Sequence, residues 1–140
     1  MSAGSWIDIS VPIRSGMVHW PGDPEIRVER FLSMDDGEVC NASRLELGSH
    51  TGTHMDAPLH FIRDGLSIDR VTPDITCGPA RIIPITDDRA VTAAELRPFG
   101  IRPGERILLR TRNSERLSYG DPFAEDFVHV SADAARYLAE

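Results

Sequence analysis

Three of the chain's five histidines and one aspartate fall within His50-Thr51-Gly52-Thr53-His54-Met55-Asp56-Ala57-Pro58-Leu59-His60. Neutral imidazole nitrogens and carboxylate oxygens are the ligands that zinc and related divalent ions take from proteins. An ion held by His50, His54 and Asp56 keeps at least one position for water, the arrangement of catalytic rather than closed structural sites. It would lower the pKa of that water toward about 7. His60, with an unperturbed pKa near about 6.5, suits the delivery of a proton to a leaving amine or alcohol. Gly52 permits close backbone approach, and Pro58 stiffens the exit of the loop, holding His60 at a set distance from the ligands. The competing reading is a polar loop whose histidines bond to nearby backbone. A structural rather than catalytic ion is a third. One histidine would favour the plain loop; three with an intervening aspartate favour the metal.

Other chemistries lack their residues. In Gly48-Ser49-His50-Thr51-Gly52 the serine comes one place too early for a nucleophile elbow. There is no HExxH and no glycine-rich dinucleotide fingerprint. All 15 basic residues are arginine, which excludes a lysine Schiff base and a P-loop lysine. Cys40 and Cys77 match no CxxC pattern, and both are expected to be small buried residues in a reduced, cytoplasmic setting. A net charge of −7 and a pI near 5.2 argue against a nucleic-acid partner. No apolar run approaches the roughly 20 residues of a membrane helix. The first residues have no charged n-region, so no signal peptide is expected. With 140 residues, 41% of them hydrophobic, the expectation is a single soluble domain over 1–140.

Val18-His19-Trp20-Pro21-Gly22-Asp23 is the second unusual stretch. A tryptophan in a Pro/Gly turn is either a core plug or the wall of a pocket for a flat ligand, and the residues alone leave the two even. His19 reads as a satisfied or exposed histidine, His129 as a weak further ligand candidate. Phe61 is expected to pack beneath the histidine loop.

The elements that must position these groups can be read from periodicity. Trp6–Ile9 reads as a short strand. Glu25–Phe31 and Asn41–Leu47 alternate apolar and polar residues and flank the turn Asp35-Asp36-Gly37, which predicts an antiparallel pair. Gly52, the flanking threonines and Pro58 oppose a helix through the histidines. An extended or looped segment after a strand is expected, with His54, Asp56 and His60 on one side by parity. Further strands are predicted over Pro79–Ile85 and Arg106–Thr111. Thr92-Ala93-Ala94-Glu95 is a capping box for a short helix that stops before Pro98, and Ser131 caps a last helix over Ala132–Ala139. The pattern is that of an α/β or α+β domain.

The histidine segment resembles the H-x-G-T-H-x-D-x-P-x-H signature of the metal-dependent cyclase-like hydrolases, a family that includes bacterial kynurenine formamidase and isatin hydrolase. His50, Gly52, Thr53, His54, Asp56, Pro58 and His60 all match. Trp6-Ile7-Asp8-Ile9-Ser10 is similar to the family's opening strand, Trp20-Pro21-Gly22-Asp23 to its W-P-G-D turn, Leu108-Leu109-Arg110-Thr111 to a central strand, and Ser131–Glu140 to its late helix.

The resemblance implies a swivelling β/β/α-type fold with a mixed β-sheet, assembled as dimers or larger oligomers. It implies that His50, His54 and Asp56 bind a divalent metal, zinc or manganese. Asp56 would bridge to a second ion in two-zinc members. His60 would give and take the proton, and Trp20 would contact an aromatic substrate. The implied reaction is hydrolysis of an amide-like C–N bond, as in N-formylkynurenine to kynurenine and formate in tryptophan catabolism. Isatin, or another cyclic or aromatic amide or lactone, is the alternative substrate. Family members continue for roughly half this length again and there supply another strand, a further His and a Glu. The chain is therefore expected to be a C-terminally truncated piece, and a non-catalytic metal-binding fragment is the alternative from another class.

Overall fold

The computed structural model describes residues 6–116 and 120–140. Contacts divide them into two compact units, residues 6–65 with 120–123 and residues 66–116 with 124–140.

The first unit is built on a hairpin. Strand β1 (Arg27–Leu32) pairs antiparallel with β2 (Ala42–Glu46), setting Val28 opposite Leu45 and Glu29 opposite Arg44. The register shifts between Arg30 and Leu32, a bulge that bends the strand toward the turn. A 3-10 turn over Met34–Asp36 joins the strands and ends at Gly37 with φ 89°, a left-handed torsion that glycine adopts without steric cost. The Asn41 side chain accepts from the Met34 N–H at 2.9 Å and closes the loop. This is the antiparallel pair that the alternation predicts.

Trp6–Ile9 forms no strand, contrary to expectation. Its polar groups turn inward on the segment instead: Asp8 Oδ1 accepts from the Ser10 N–H at 2.8 Å, a local bond that competes with ladder pairing. The next stretch runs beside β1, where Ser15 Oγ bonds both the N–H and the carbonyl of Val28. Met17, Ile26 and Thr51 are the buried residues of this unit.

The second unit holds the larger core. Strand β3 (Arg81–Pro84) pairs parallel with β5 (Ile107–Arg110), and the two-residue strands β4 (Ala90–Val91) and β6 (His129–Val130) also pair parallel. β4 and β6 are too short to register as periodic in sequence. Helix α1 (Ala93–Leu96) starts at Thr92, whose side chain accepts from the Glu95 N–H at 3.3 Å. The α-helix stops at Leu96, and the chain continues through Pro98 as a 3-10 turn to Gly100. Helix α2 (Ala132–Ala139) starts at Ser131, which accepts from Ala134. The two helix starts are tied together, because Asp133 of α2 accepts from the Ala93 N–H at 2.9 Å. Ile83, Ile85, Val91, Leu96, Val128 and Ala134 form the core between strands and helices.

The fold is α+β. The expected mixture of parallel and antiparallel pairing is present, distributed over three two-stranded ladders among the described residues. The cysteines depart from expectation. Cys40 and Cys77 are both exposed, because each lies on an irregular link, Cys40 just before β2 and Cys77 just after the 3-10 turn Pro73–Ile75.

Candidate metal centre

After β2 the chain leaves the hairpin in extended and bent form, with no helix between Leu47 and Ala57. Two threonines anchor it. Thr51 is buried, and Thr53 Oγ1 accepts from the Val11 N–H at 2.9 Å. Between them Gly52 takes φ 61°, and a Cβ there would stand 3.2 Å from Val11 Cγ2. Both the torsion and the space favour glycine. With its threonines tied down, the segment presents its histidines to one another.

Asp56 is the centre of the group. Its Oδ1 lies 2.8 Å from His50 Nδ1 and 3.7 Å from His54 Nε2. The His50 and His60 rings are tilted at 42° with centroids 4.1 Å apart, and those of His50 and His54 are edge-on at 5.2 Å. The 3-10 turn Pro58–His60 delivers His60, with Pro58 at its first position and the His60 N–H donating to the Ala57 carbonyl at 2.9 Å. Among the described residues, the three-donor set whose ligand atoms lie within 4.8 Å of one another is His50, Asp56 and His60. His54, outside that set, has its Nε2 3.7 Å from the same carboxylate oxygen.

The donor set fits a divalent ion. His54 Nδ1 stands 2.9 Å from the Gly52 carbonyl. A backbone carbonyl only accepts, so Nδ1 is the donor in this bond and Nε2 is the nitrogen turned over to a metal in the neutral tautomer. Nε2 stands 3.7 Å from Oδ1 of the Asp56 carboxylate. Ligands at about 2.0–2.2 Å from one ion stand up to about 4.4 Å apart, so a cation between them satisfies both. A carbonyl behind a ligating imidazole is the usual outer-shell support that sets tautomer and ring orientation.

Trp20 is half exposed and meets Phe123 edge-on, with centroids 5.0 Å apart. The turn below it is closed by the Asp23 N–H donating to the Trp20 carbonyl at 3.0 Å. His19 is satisfied by the Met17 carbonyl at 3.3 Å. His129 lies exposed on β6 in the other unit, its ring 6.2 Å from that of Phe127. Phe61 does not pack beneath the loop. It is 87% exposed, with its ring 4.0 Å from that of His60, because it follows the 3-10 turn and is thrown outward. Sequence reasoning missed Phe123 as the partner of Trp20, and the signal available was only an aromatic after Asp121-Pro122.

A family profile described as "Putative cyclase" matches residues 7–140. Kynurenine formamidase of Bacillus cereus strain ATCC 14579 is 36% identical over 140 residues, covering 100% of this chain and 66% of that protein. Kynurenine formamidase of Bacillus cytotoxicus is 37% identical over 142 residues, again covering 66% of its length. The chain thus spans just under two thirds of the curated relatives it matches. A solved structure described as a potential metal-dependent hydrolase with cyclase activity superposes with a TM-score of 0.76 at 31% identity, over 95% of this chain and 61% of that one. A predicted metal-dependent hydrolase from Bacillus stearothermophilus superposes with a TM-score of 0.73 at 29% identity, over 95% and 62%.

Proposed function

The chain belongs to the putative cyclase family, and on that premise we propose that the protein is a metal-dependent hydrolase of amide-like C–N bonds. The reaction is that of an arylformamidase, N-formylkynurenine and water giving kynurenine and formate. The observation that carries this reading is the convergence of His50, His54 and His60 on Asp56. The relatives named kynurenine formamidase support the substrate class.

His50, His54 and Asp56 would hold the ion, zinc by preference for a donor set of imidazole and carboxylate. When bound, such an ion would supply polarisation of the formyl carbonyl and easier ionisation of water. The chain's own groups do the rest. Asp56 carries the negative charge that offsets a dication, and the Gly52 carbonyl keeps His54 turned toward it. His60 takes the proton from the attacking water as the new C–O bond forms at the formyl carbon. It returns that proton to the nitrogen of the aryl amine as the C–N bond breaks. Proton transfer by a positioned side chain contributes roughly 10²–10⁴-fold in rate. Trp20, half exposed beside Phe123, would contact the aromatic ring of the substrate. The protein acts in the cytoplasm as a homo-oligomer.

The test is steady-state hydrolysis of N-formylkynurenine by the full-length protein and its His60→Ala variant. The reading expects metal-dependent turnover by the wild type and a loss of kcat of roughly 10²–10⁴-fold in the variant, with bound metal retained. Equal turnover by the two proteins would remove His60 from the chemistry.

A further inference from the structure

Gly65 is glycine for reasons of space and not of torsion. Its φ lies outside the left-handed region that Gly16, Gly22, Gly37 and Gly52 occupy. A Cβ at Gly65 would stand 2.6 Å from the Pro58 carbonyl carbon, 2.7 Å from the Leu59 nitrogen and 2.8 Å from the Pro58 oxygen. Non-bonded carbon contacts settle at about 3.5–4.0 Å. All three neighbours are main-chain atoms, so no side-chain rotation relieves the overlap; the backbone itself must move.

That backbone is the 3-10 turn Pro58–His60. The Phe61 N–H donates to the Pro58 carbonyl at 3.3 Å, and two further bonds fold the chain after it back. The Ile62 N–H donates to the Pro58 carbonyl at 2.9 Å, and the Gly65 N–H donates to the Ile62 carbonyl at 2.8 Å. One end of the turn therefore rests against Gly65. The other end carries His60, whose ring lies 4.1 Å from that of His50. Phe61 is exposed, and its contact with the turn is through its ring, 4.0 Å from that of His60.

We propose that Gly65 is a positioning residue for His60: its bare Cα lets residues 62–65 close against the Pro58–Leu59 peptide and so fixes the His60 imidazole against His50 and Asp56. This rests on the reading of His60 as the proton carrier. Even alanine at position 65 pushes the turn outward by several tenths of an ångström or more, and the imidazole moves with it. Misplacement of a catalytic group by about 1 Å costs on the order of a hundredfold in rate.

The test is Gly65→Ala in the full-length metal-loaded protein, alone and with His60→Ala. Three quantities are read: kcat on N-formylkynurenine, bound metal, and the ¹⁵N shifts of the His60 imidazole. The proposal expects a folded variant with a moved His60 resonance and kcat lowered by about a hundredfold, and no further loss when Gly65→Ala is added to His60→Ala. Unmoved His60 resonances with unchanged kcat overturn it, as does an equal loss in the His60→Ala background. Should Gly65→Ala fail to fold, Pro58→Ala loosens the same turn without adding bulk, and a loss undiminished in the His60→Ala background overturns the proposal in the same way. A wild type that does not hydrolyse N-formylkynurenine, while Gly65→Ala still moves the His60 resonance, condemns the proposed activity and leaves the positioning role standing.

Discussion

Oδ1 of Asp56 stands 2.8 Å from Nδ1 of His50. The same oxygen lies 3.7 Å from His54 Nε2, so one carboxylate organises the whole group. Asp56→Asn keeps the shape and removes the charge. Loss of an outer-shell partner costs roughly 10–100-fold in metal affinity, and loss of the central carboxylate should exceed that. Zinc titration against a competing chelator checks it. An affinity within threefold of wild type would mean that the ion binds elsewhere.

Thr53 belongs to the signature without being a ligand, and its Oγ1 accepts the Val11 N–H at 2.9 Å. The bond ties the N-terminal segment to the histidine loop. Thr53→Val should lower stability by about 1 kcal/mol, the usual worth of one such bond, while Thr53→Ser, which keeps the hydroxyl, stays near wild type. Urea unfolding of the three proteins separates the hydroxyl from the methyl group.

Leu96 is fully buried in the cluster formed by Ile83, Ile85, Val91, Val128 and Ala134. Leu96→Ala removes the transfer energy of its side chain and leaves a cavity, for a loss of about 2–5 kcal/mol. Denaturant titration reads it directly. A loss under about 1 kcal/mol would indicate that the core refills the space.

The junction of the helix starts makes stability pH-dependent. The Ser131 hydroxyl, and after it the Ala93 N–H, hold the Asp133 carboxyl below the usual carboxylate range. A depressed folded value means that the unfolded chain binds the proton more readily. The contribution is therefore present above the unfolded value of about 3.9 and is lost as pH falls through the folded value. Asp133→Asn should flatten the acid limb of a melting-temperature profile and leave its neutral and alkaline parts parallel to wild type. An unchanged acid limb would assign the acid sensitivity to other carboxylates.

Much of this architecture is legible in local residues. The hairpin follows from alternation around Asp35-Asp36-Gly37, and the helix starts from Thr92 and Ser131, because capping and pairing depend on near neighbours in sequence. Trp6–Ile9 misled because its composition suits a strand, while the bond from the Ser10 N–H to Asp8 turns the segment in on itself. The two-residue strands β4 and β6 carry no periodicity at all. At the centre, residue types pointed to His50, His54, Asp56 and His60 as a group. What spacing could not supply was the geometry: the sharing of one Asp56 oxygen, the Gly52 carbonyl behind His54, and the contact of Gly65 with the turn that carries His60. Each of these depends on backbone folding back on itself, and hydrophobic pattern does not encode that.

The central claim is that divalent metal at the Asp56 cluster drives hydrolysis of an aryl formamide. The most direct measurement is the rate of kynurenine release from N-formylkynurenine by the full-length protein as isolated, after chelation, and after zinc is restored. The account predicts turnover, its loss on chelation, and its return with zinc in the wild type but not in Asp56→Asn. Turnover that survives complete removal of metal, or that zinc restores equally in Asp56→Asn, would contradict it.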